Sequence, residues 1–221
     1  MRVVSANLQH GVPDPVGPPD LSLAVGPLRD LAADVYAFQE LDQLRWRTSL
    51  AHQGRALAAA LDGDLLWARA KHWLWAAQGN ALVVRGELVA REVRPLPGPD
   101  ELRSVAIAEV VVAGGRWSVA GTHLSLDRTA ATAQLRAVVE ALADRPAPRV
   151  VLGDLNLRPE RVAPVAEELG YQLVDGPFTI NARTGLNRRL DHVLVDGASI
   201  DASGVEKLPV SDHLAVWADL S

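Results

Sequence analysis

Five runs of strand composition follow one another between residues 65 and 124: LLWARA (65–70), NALVVR (80–85), LVAREVRPL (88–96), SVAIAEVVV (104–112) and WSVAGTHL (117–124). Turns separate them, and Gly114-Gly115 between the last two is a hairpin signal. Strands joined this closely pair antiparallel, because a parallel pair needs a crossover of a dozen or more residues. A purely parallel wound sheet is therefore excluded. On the N-terminal side lie an apolar run over 2–8, a Pro/Gly-rich loop over 11–20 and a segment at 21–33 with Leu21, Val25, Leu28 and Leu31 at helical spacing. A short apolar run at 35–39 and an Ala/Leu-rich helix at 50–61, ending near Gly63, follow. On the C-terminal side the pattern predicts a helix over 129–143, a buried strand over 149–152 and a helix over 159–169 with Pro159 in its first turn. Strands at 190–195, 200–208 and 214–220 complete the chain. Roughly ten strands and four helices in this order predict a four-layer α/β/β/α sandwich, two packed mixed β-sheets flanked by helices. No linker or repeat interrupts residues 21–221, so one domain is expected over 1–221.

Composition narrows the chemistry. The 221 residues are 48% hydrophobic, carry a formal charge of −5 and include no cysteine. Disulfides, thiolate zinc sites and cysteine nucleophiles are thereby excluded. The first nine residues, MRVVSANLQ, reach polar positions too soon for the apolar stretch of a signal peptide, and a cytoplasmic location is the expectation. Charged residues or glycine interrupt every apolar run well short of a membrane span, so no stable membrane insertion is expected. The acidic balance lacks the basic stripe of a protein held on nucleic acid by charge alone. Of the 22 basic residues only Lys71 and Lys207 are lysine. That bias matches GC-rich coding and carries little functional weight.

Polar residues stand at the ends of the apolar runs, where a strand delivers a side chain to a loop-built site. Asn7 follows Val3-Val4, Glu40 follows 35–39, His123 follows Val119-Ala120, and Asp154 and Asn156 follow 150–152. Asp191 opens a strand, and Asp212-His213 precedes Leu214. Any one of these could be a turn former or a helix cap. Together, Glu40, Asp154, Asp212 and the Asn7 and Asn156 amides form a set of hard oxygen donors suited to Mg²⁺ or Mn²⁺, which bind few protein ligands plus substrate phosphate. The histidines can stabilise or protonate a phosphoester, and Asp191 can fix an imidazole tautomer. The set points to metal-assisted phosphoryl transfer.

Seven segments in order resemble the endonuclease/exonuclease/phosphatase superfamily: SANLQHG (5–11), DVYAFQELD (34–42), GNALVVR (79–85), GTHLSLD (121–127), VVLGDLNLRPE (150–160), RRLDHVLVDG (188–197) and VSDHLAVWADL (210–220). GDLN and SDH are the most specific. The resemblance implies a Mg²⁺- or Mn²⁺-dependent phosphoester hydrolase, with a nuclease acting on DNA or RNA as the leading reading. A phospholipid or small-molecule (inositol or sugar) phosphoesterase is the alternative, and a non-catalytic scaffold of the same fold is a third. No protein partner is indicated. Carried over by position, Asn7, Glu40 and Asp212 would serve the metal. Asp154 and Asn156 would orient the attacking water, with Asp154 a candidate general base. His213 would contact the scissile phosphate, oriented by Asp191, and His123 would face it from the other side as second acid or stabiliser.

Arg103, Asn80 and Arg188 are candidate substrate contacts by the same resemblance, as are the neighbouring Arg183 and Arg189. Asn80 is also read as a turn residue, and Gln39 as structural or catalytic. His192 alternates with Asp191 along its strand and is expected to be structural. Four of the six tryptophans fall between Trp46 and Trp75. Packing between the sheets or under a loop is expected of them over a base-stacking or lipid role, and no hydrophobic hairpin for membranes is expected. P-loop, G-x-G-x-x-G, H-E-x-x-H and G-x-S-x-G patterns are absent. A Ser125, His213 and Asp191 triad can be imagined, but it leaves Asn7, Glu40, Asp154 and Asn156 without a role.

Overall fold

The computed structural model describes residues 1–98, 102–112, 114–180 and 187–221. Twelve strands and four α-helices are present among them. One sheet runs β11 (Ile200–Glu206), β12 (Ala215–Leu220), β1 (Arg2–Asn7), β2 (Val35–Gln43), β4 (Ala76–Val84) and β3 (Asp64–Trp73). The other runs β5 (Glu87–Leu96), β6 (Arg103–Val112), β7 (Gly115–His123), β8 (Arg149–Asp154), β10 (Asp191–Asp196) and β9 (Gln172–Leu173). Outside them lie α1 (Ser22–Asp30), α2 (Gln53–Ala60), α3 (Arg128–Ala143) and α4 (Pro159–Glu168). The expected four-layer α/β/β/α sandwich is the fold observed.

The apolar runs read as continuous because both faces of each central strand are covered. Val3, Val35, Ala37, Leu82, Ala106, Val150 and Leu152 point between the sheets. Their alternates Val4, Tyr36 and Phe38 pack under α1 and α2 with Leu28 and Leu57. On the other side Val105, Ile107 and Val151 pack under α3 and α4 with Leu135, Leu142 and Val162. The two-residue alternation divides each strand between layers.

Each sheet contains one parallel pair, and these pairs place the site. β1 runs parallel to β2 with Asn7 opposite Gln39, and β7 runs parallel to β8 with His123 opposite Asp154. Parallel strands end at the same sheet edge, so both pairs deliver their last side chains to one end of the sandwich. β10 is antiparallel to β8 with Asp191 opposite Asp154, which brings its first residue to that edge.

Several expectations are corrected. β3 and β4 extend to Trp73 and Ala76, and β9 adds a two-residue edge strand. Asn80 lies inside β4 and is no turn residue. Three of the four tryptophans at 46–75 are exposed, Trp46 at 83%, Trp73 at 46% and Trp75 at 65%, with Leu74 between the last two at 87%, while Trp67 is half-buried against the core under α1 and α2. The β3–β4 turn is thus an apolar hairpin tip of the kind the sequence did not predict. Among the described residues no helix is long and apolar enough to cross a membrane.

Candidate active site

One carboxylate oxygen is the hub. Asp154 Oδ2 accepts a hydrogen bond from Asn7 Nδ2 at 3.1 Å and lies 3.4 Å from His123 Nε2 and 3.9 Å from His213 Nε2. Four segments from both sheets meet at this atom. The other oxygen, Oδ1, accepts from the Asn156 backbone N–H at 3.1 Å, closing a short turn after β8. Asn156 adopts φ 51° and donates from Nδ2 to the Leu124 carbonyl at 3.0 Å, tying the β8 exit to the β7 exit.

Glu40 reaches the hub through a distortion of β2. The β2–β4 register shifts between Phe38 and Leu41, and Glu40 has φ 56°, so a bulge turns its side chain out of the ladder. Its Oε1 accepts from Asn7 Nδ2 at 3.2 Å, so a single amide bridges Glu40 and Asp154. Burial holds the Glu40 carboxyl above its ordinary range; the Asn7 hydrogen bond and His213 oppose that rise, while Asp154 and Asp212 add to it. Gln39 points the other way, donating to Ser5 Oγ at 3.3 Å and the Ala37 carbonyl at 3.0 Å, a structural role.

The two imidazoles are driven to opposite charge states. His213 Nδ1 donates to Asp191 Oδ2 at 2.8 Å. Burial lowers the His213 pKa, but the charge and hydrogen bond of Asp191, with the charges of Asp154 and Asp212, outweigh it and push it up to about 10. His123 goes down to about 3: burial dominates, the Asp154 charge opposes it, and Arg103, His213 and Lys71 add to the lowering. At neutral pH His213 is the cation and His123 the neutral ring. Asp191 is fully buried, its backbone N–H donating to Thr179 Oγ1 at 3.2 Å. His192, one residue on, faces away and bonds the Leu157 carbonyl at 2.8 Å, as the strand alternation predicted.

Glu40, His123, Asp154, Asn156 and His213 line a cavity of about 540 Å³, together with Arg188. Arg103, Asn80 and Lys71 line a smaller adjoining cavity of about 150 Å³ that shares Glu40 and His123. Asn80 donates to the Ser104 carbonyl at 3.2 Å, bracing β4 against β6. Arg189 turns away to Asp175 at 3.1 Å, and Arg183 lies outside the described residues. Ser125 Oγ accepts from the Asp127 N–H at 3.1 Å where α3 begins, and His213 Nε2 faces Asp154. Nothing in this geometry supports the triad. Sequence reading missed Lys71 and Arg128, Arg158 and Arg161, which share the larger cavity. The signal for the last two was their position just after GDLN.

The donor set fits a divalent cation. Glu40 and Asp154 are bridged by the Asn7 amide, Asp212 is near enough to act electrostatically on Glu40, Asp191 Oδ1 is buried without a hydrogen-bond partner, and ligand atoms of Asp154, Asp191 and His213 lie within 4.8 Å of one another. The Asp191–His213 hydrogen bond already engages Asp191 Oδ2 and His213 Nδ1. The oxygens of Glu40 and Asp154 are therefore better placed as ligands.

The profile of the Endonuclease/Exonuclease/phosphatase family matches residues 4–213. The chain belongs to that family. Its members are hydrolytic phosphoesterases, generally dependent on a divalent metal. No curated protein matches the chain in sequence. Among solved structures, an endonuclease/exonuclease/phosphatase from Beutenbergia cavernae is 24% identical with TM-score 0.84, covering 100% of this chain and 71% of that one. The mannosyl-6-phosphatase of Bacteroides thetaiotaomicron is 16% identical with TM-score 0.75, covering 100% and 99%. D. rerio TDP2, in complex with a single-strand DNA product, is 21% identical with TM-score 0.74, covering 100% and 98%. At these identities the three show a shared endonuclease/exonuclease/phosphatase fold.

Proposed function

We propose that this chain hydrolyses phosphodiesters with Mg²⁺ or Mn²⁺, nucleic acid being the leading substrate. The observation that carries the reading is the convergence of Asn7, His123 and His213 on Asp154 Oδ2, beside a cavity that His123, Asp154 and His213 line. Asn7, Glu40 and Asp212 would hold the ion, with Asp154 beside them. When bound, the ion supplies positive charge against the charge that develops on the phosphoryl oxygens. Asp154 takes a proton from the attacking water, and Asn156 holds that carboxylate in place. The water oxygen forms a bond to phosphorus as the bond to the leaving oxygen breaks, and the leaving alkoxide is protonated from solvent. His213, charged and fixed by Asp191, donates to a phosphoryl oxygen. His123, neutral at working pH, suits a hydrogen-bonding stabiliser better than a second acid. Arg103 and Asn80 on one side and Arg188 on the other contact substrate.

One observation favours a second reading, a lipid phosphoester. The apolar tip Trp73-Leu74-Trp75 caps the hairpin whose strands supply Lys71 and Asn80 to the cavity wall. Leucine has no ring to stack on bases, and Arg45 covers the Trp73 ring at 4.0 Å.

The test is one panel: plasmid DNA, abasic duplex, RNA, sphingomyelin, inositol phosphates and bis-p-nitrophenyl phosphate, each with Mg²⁺, Mn²⁺ or EDTA. Metal-dependent cleavage abolished in Asp154→Ala and Glu40→Gln, with unchanged circular dichroism, is expected. Normal turnover in folded Asp154→Ala overturns the mechanism. Failure to cleave any member favours the non-catalytic scaffold.

A further inference from the structure

The larger cavity carries four guanidinium groups, of which the chemistry above uses only Arg188. Arg128 is the first residue of α3, Arg158 is the N-cap of α4, Arg161 lies in the first turn of α4, and Arg188 precedes β10. Several arginines elsewhere hold carboxylates closely, as in Arg2–Asp219 at 2.7 Å, Arg47–Asp42 at 2.7 Å and Arg149–Asp196 at 2.8 Å. Among the described residues none of the four cavity arginines forms such a pair. Three of them also stand where helix electrostatics disfavour a cation. The N-terminal turn of a helix is its positive end, and a cation there is disfavoured compared with a neutral residue. Glu160 in the first turn of α4 and Asp127 at the N-cap of α3 offset part of this charge. Residues that break a local rule at two helix starts, and turn toward one cavity, mark a ligand that repays the placement.

We propose that Arg128, Arg158, Arg161 and Arg188 bind a second, non-scissile phosphate of the substrate, on the α4 side of the hub. This deepens the hydrolytic reading and rests on it. The His123, Asp154 and His213 end of the cavity takes the phosphate that reacts. A cavity of about 540 Å³ has room for a ligand well beyond one phosphate group. Guanidinium groups present paired donors that match phosphate oxygens, and several of them around one position select a dianion or a bridging phosphate over a neutral group. The second phosphate belongs to the neighbouring nucleotide of a strand or to a small molecule phosphorylated twice; the chemistry recognised is the same.

The experiment compares the wild type with Arg158→Ala/Arg161→Ala, and with Arg136→Ala, an α3 arginine paired with Glu168 on the surface, as control. Substrates are bis-p-nitrophenyl phosphate, with one phosphate, against TpTpT and an inositol bisphosphate, with two or more. Binding of inorganic tripolyphosphate is measured in EDTA by calorimetry. The double variant is expected to lose about 10- to 100-fold in kcat/KM on the two-phosphate substrate that the wild type cleaves, and at least about tenfold in tripolyphosphate affinity. Bis-p-nitrophenyl phosphate turnover should stay within about twofold, and Arg136→Ala should match the wild type throughout. Equal losses on all substrates, or none on any, overturn the site. If nothing is cleaved yet tripolyphosphate binding still depends on Arg158 and Arg161, hydrolysis falls and the anion site stands. Metal-dependent cleavage without arginine dependence leaves hydrolysis standing and removes the site. Preference for TpTpT or for the bisphosphate identifies the source of the second phosphate.

Discussion

Substituting Gly153 by alanine probes how tightly the fold holds the hub. Gly153 sits in β8 opposite Thr122 of β7, one residue before the His123–Asp154 pair. A Cβ built there lies 2.0 Å from the Thr122 carbonyl oxygen and 2.9 Å from its carbon, whereas ordinary contacts begin near 3.4 Å. The backbones must therefore part by about 1.4 Å, the difference between 3.4 and 2.0 Å. Thr122 cannot retreat freely: it pairs with Val105 on its other side, and its hydroxyl donates to the Ser104 carbonyl at 3.2 Å. The displacement passes instead to the next rung, where His123 Nε2 is 3.4 Å from Asp154 Oδ2. Overpacking of this kind costs about 1–3 kcal/mol, or about 2–12 °C in Tm for a chain of this size. Misplacement of catalytic groups by about 1 Å costs about 100-fold in rate. The assay is kcat/KM on bis-p-nitrophenyl phosphate with Mg²⁺, at a temperature where circular dichroism shows the variant folded. Gly204→Ala is the control, because the three atoms nearest its Cβ all belong to the Trp217 ring, the nearest at 2.8 Å, on the edge strand β11. Wild-type kcat/KM in folded Gly153→Ala would refute the argument that β7–β8 contact sets the geometry of the site.

Three more predictions follow from the same coordinates. Asp191→Asn removes the main support for the His213 charge, so the basic limb of the kcat/KM–pH profile should move down by at least about one unit; an unmoved limb means that His213 does not govern it. His192 is buried, and its pKa is pushed down to about 4 by burial, with Arg189 adding to the lowering and its backbone hydrogen bonds opposing it. The unfolded chain thus binds more protons than the native one below the ordinary value near 6.5, and stability is lost as pH falls from there toward 4, by up to about 3 kcal/mol. Urea titrations at pH 7 and 4.5 should show a shallower loss in His192→Gln than in the wild type, and equal losses would discard the assignment. Thr179 Oγ1 accepts from the Leu190 and Asp191 N–H groups at 3.0 and 3.2 Å, so Thr179→Val should destabilise by about 1–3 kcal/mol and reduce turnover; a neutral Tm shift contradicts this.

The layers were legible because burial on both faces turns a strand into a short uninterrupted apolar run, as at residues 150–152 and 104–112. β9 and the outer half of β2 were not, since two residues carry no period and Gln39, Glu40, Asp42 and Gln43 look like loop. The strand-end residues could be nominated from sequence, yet their mutual distances could not, because they depend on packing between sheets that share no local sequence. Of the cavity arginines, Arg188 was nominated, whereas Arg128, Arg158 and Arg161 were hidden by the general Arg excess. They stand out only when each one's partner, or lack of one, can be seen. The exposed tryptophans were misplaced by the sound rule that aromatic residues bury their area.

Backbone conformation explains why the site itself resists reading. Glu40 and Asn156 have φ of 56° and 51°, Ser211 before Asp212 has 73°, and Gln9 and His10 after Asn7's strand have 43° and 46°. Non-glycine residues adopt this region at a cost of about 1–2 kcal/mol each, and no side-chain pattern announces it except the tolerance of asparagine. These five are among eleven such residues in the described chain; the other six, Ala32, Leu44, Ser49, Leu50, Asp62 and Leu74, lie in turns elsewhere. Local strain persists only where surrounding structure over-determines it. Here the determinants are the hydrogen bonds that cross between segments: Asn7 to Glu40 and Asp154, Asn156 to Leu124, and the Ser211 N–H to the Val12 carbonyl at 2.7 Å. Each ties a strained residue to an element outside its own hairpin. The two sheets must therefore be packed before the site can form, and the charge split between His123 and His213 depends on the burial which that packing creates.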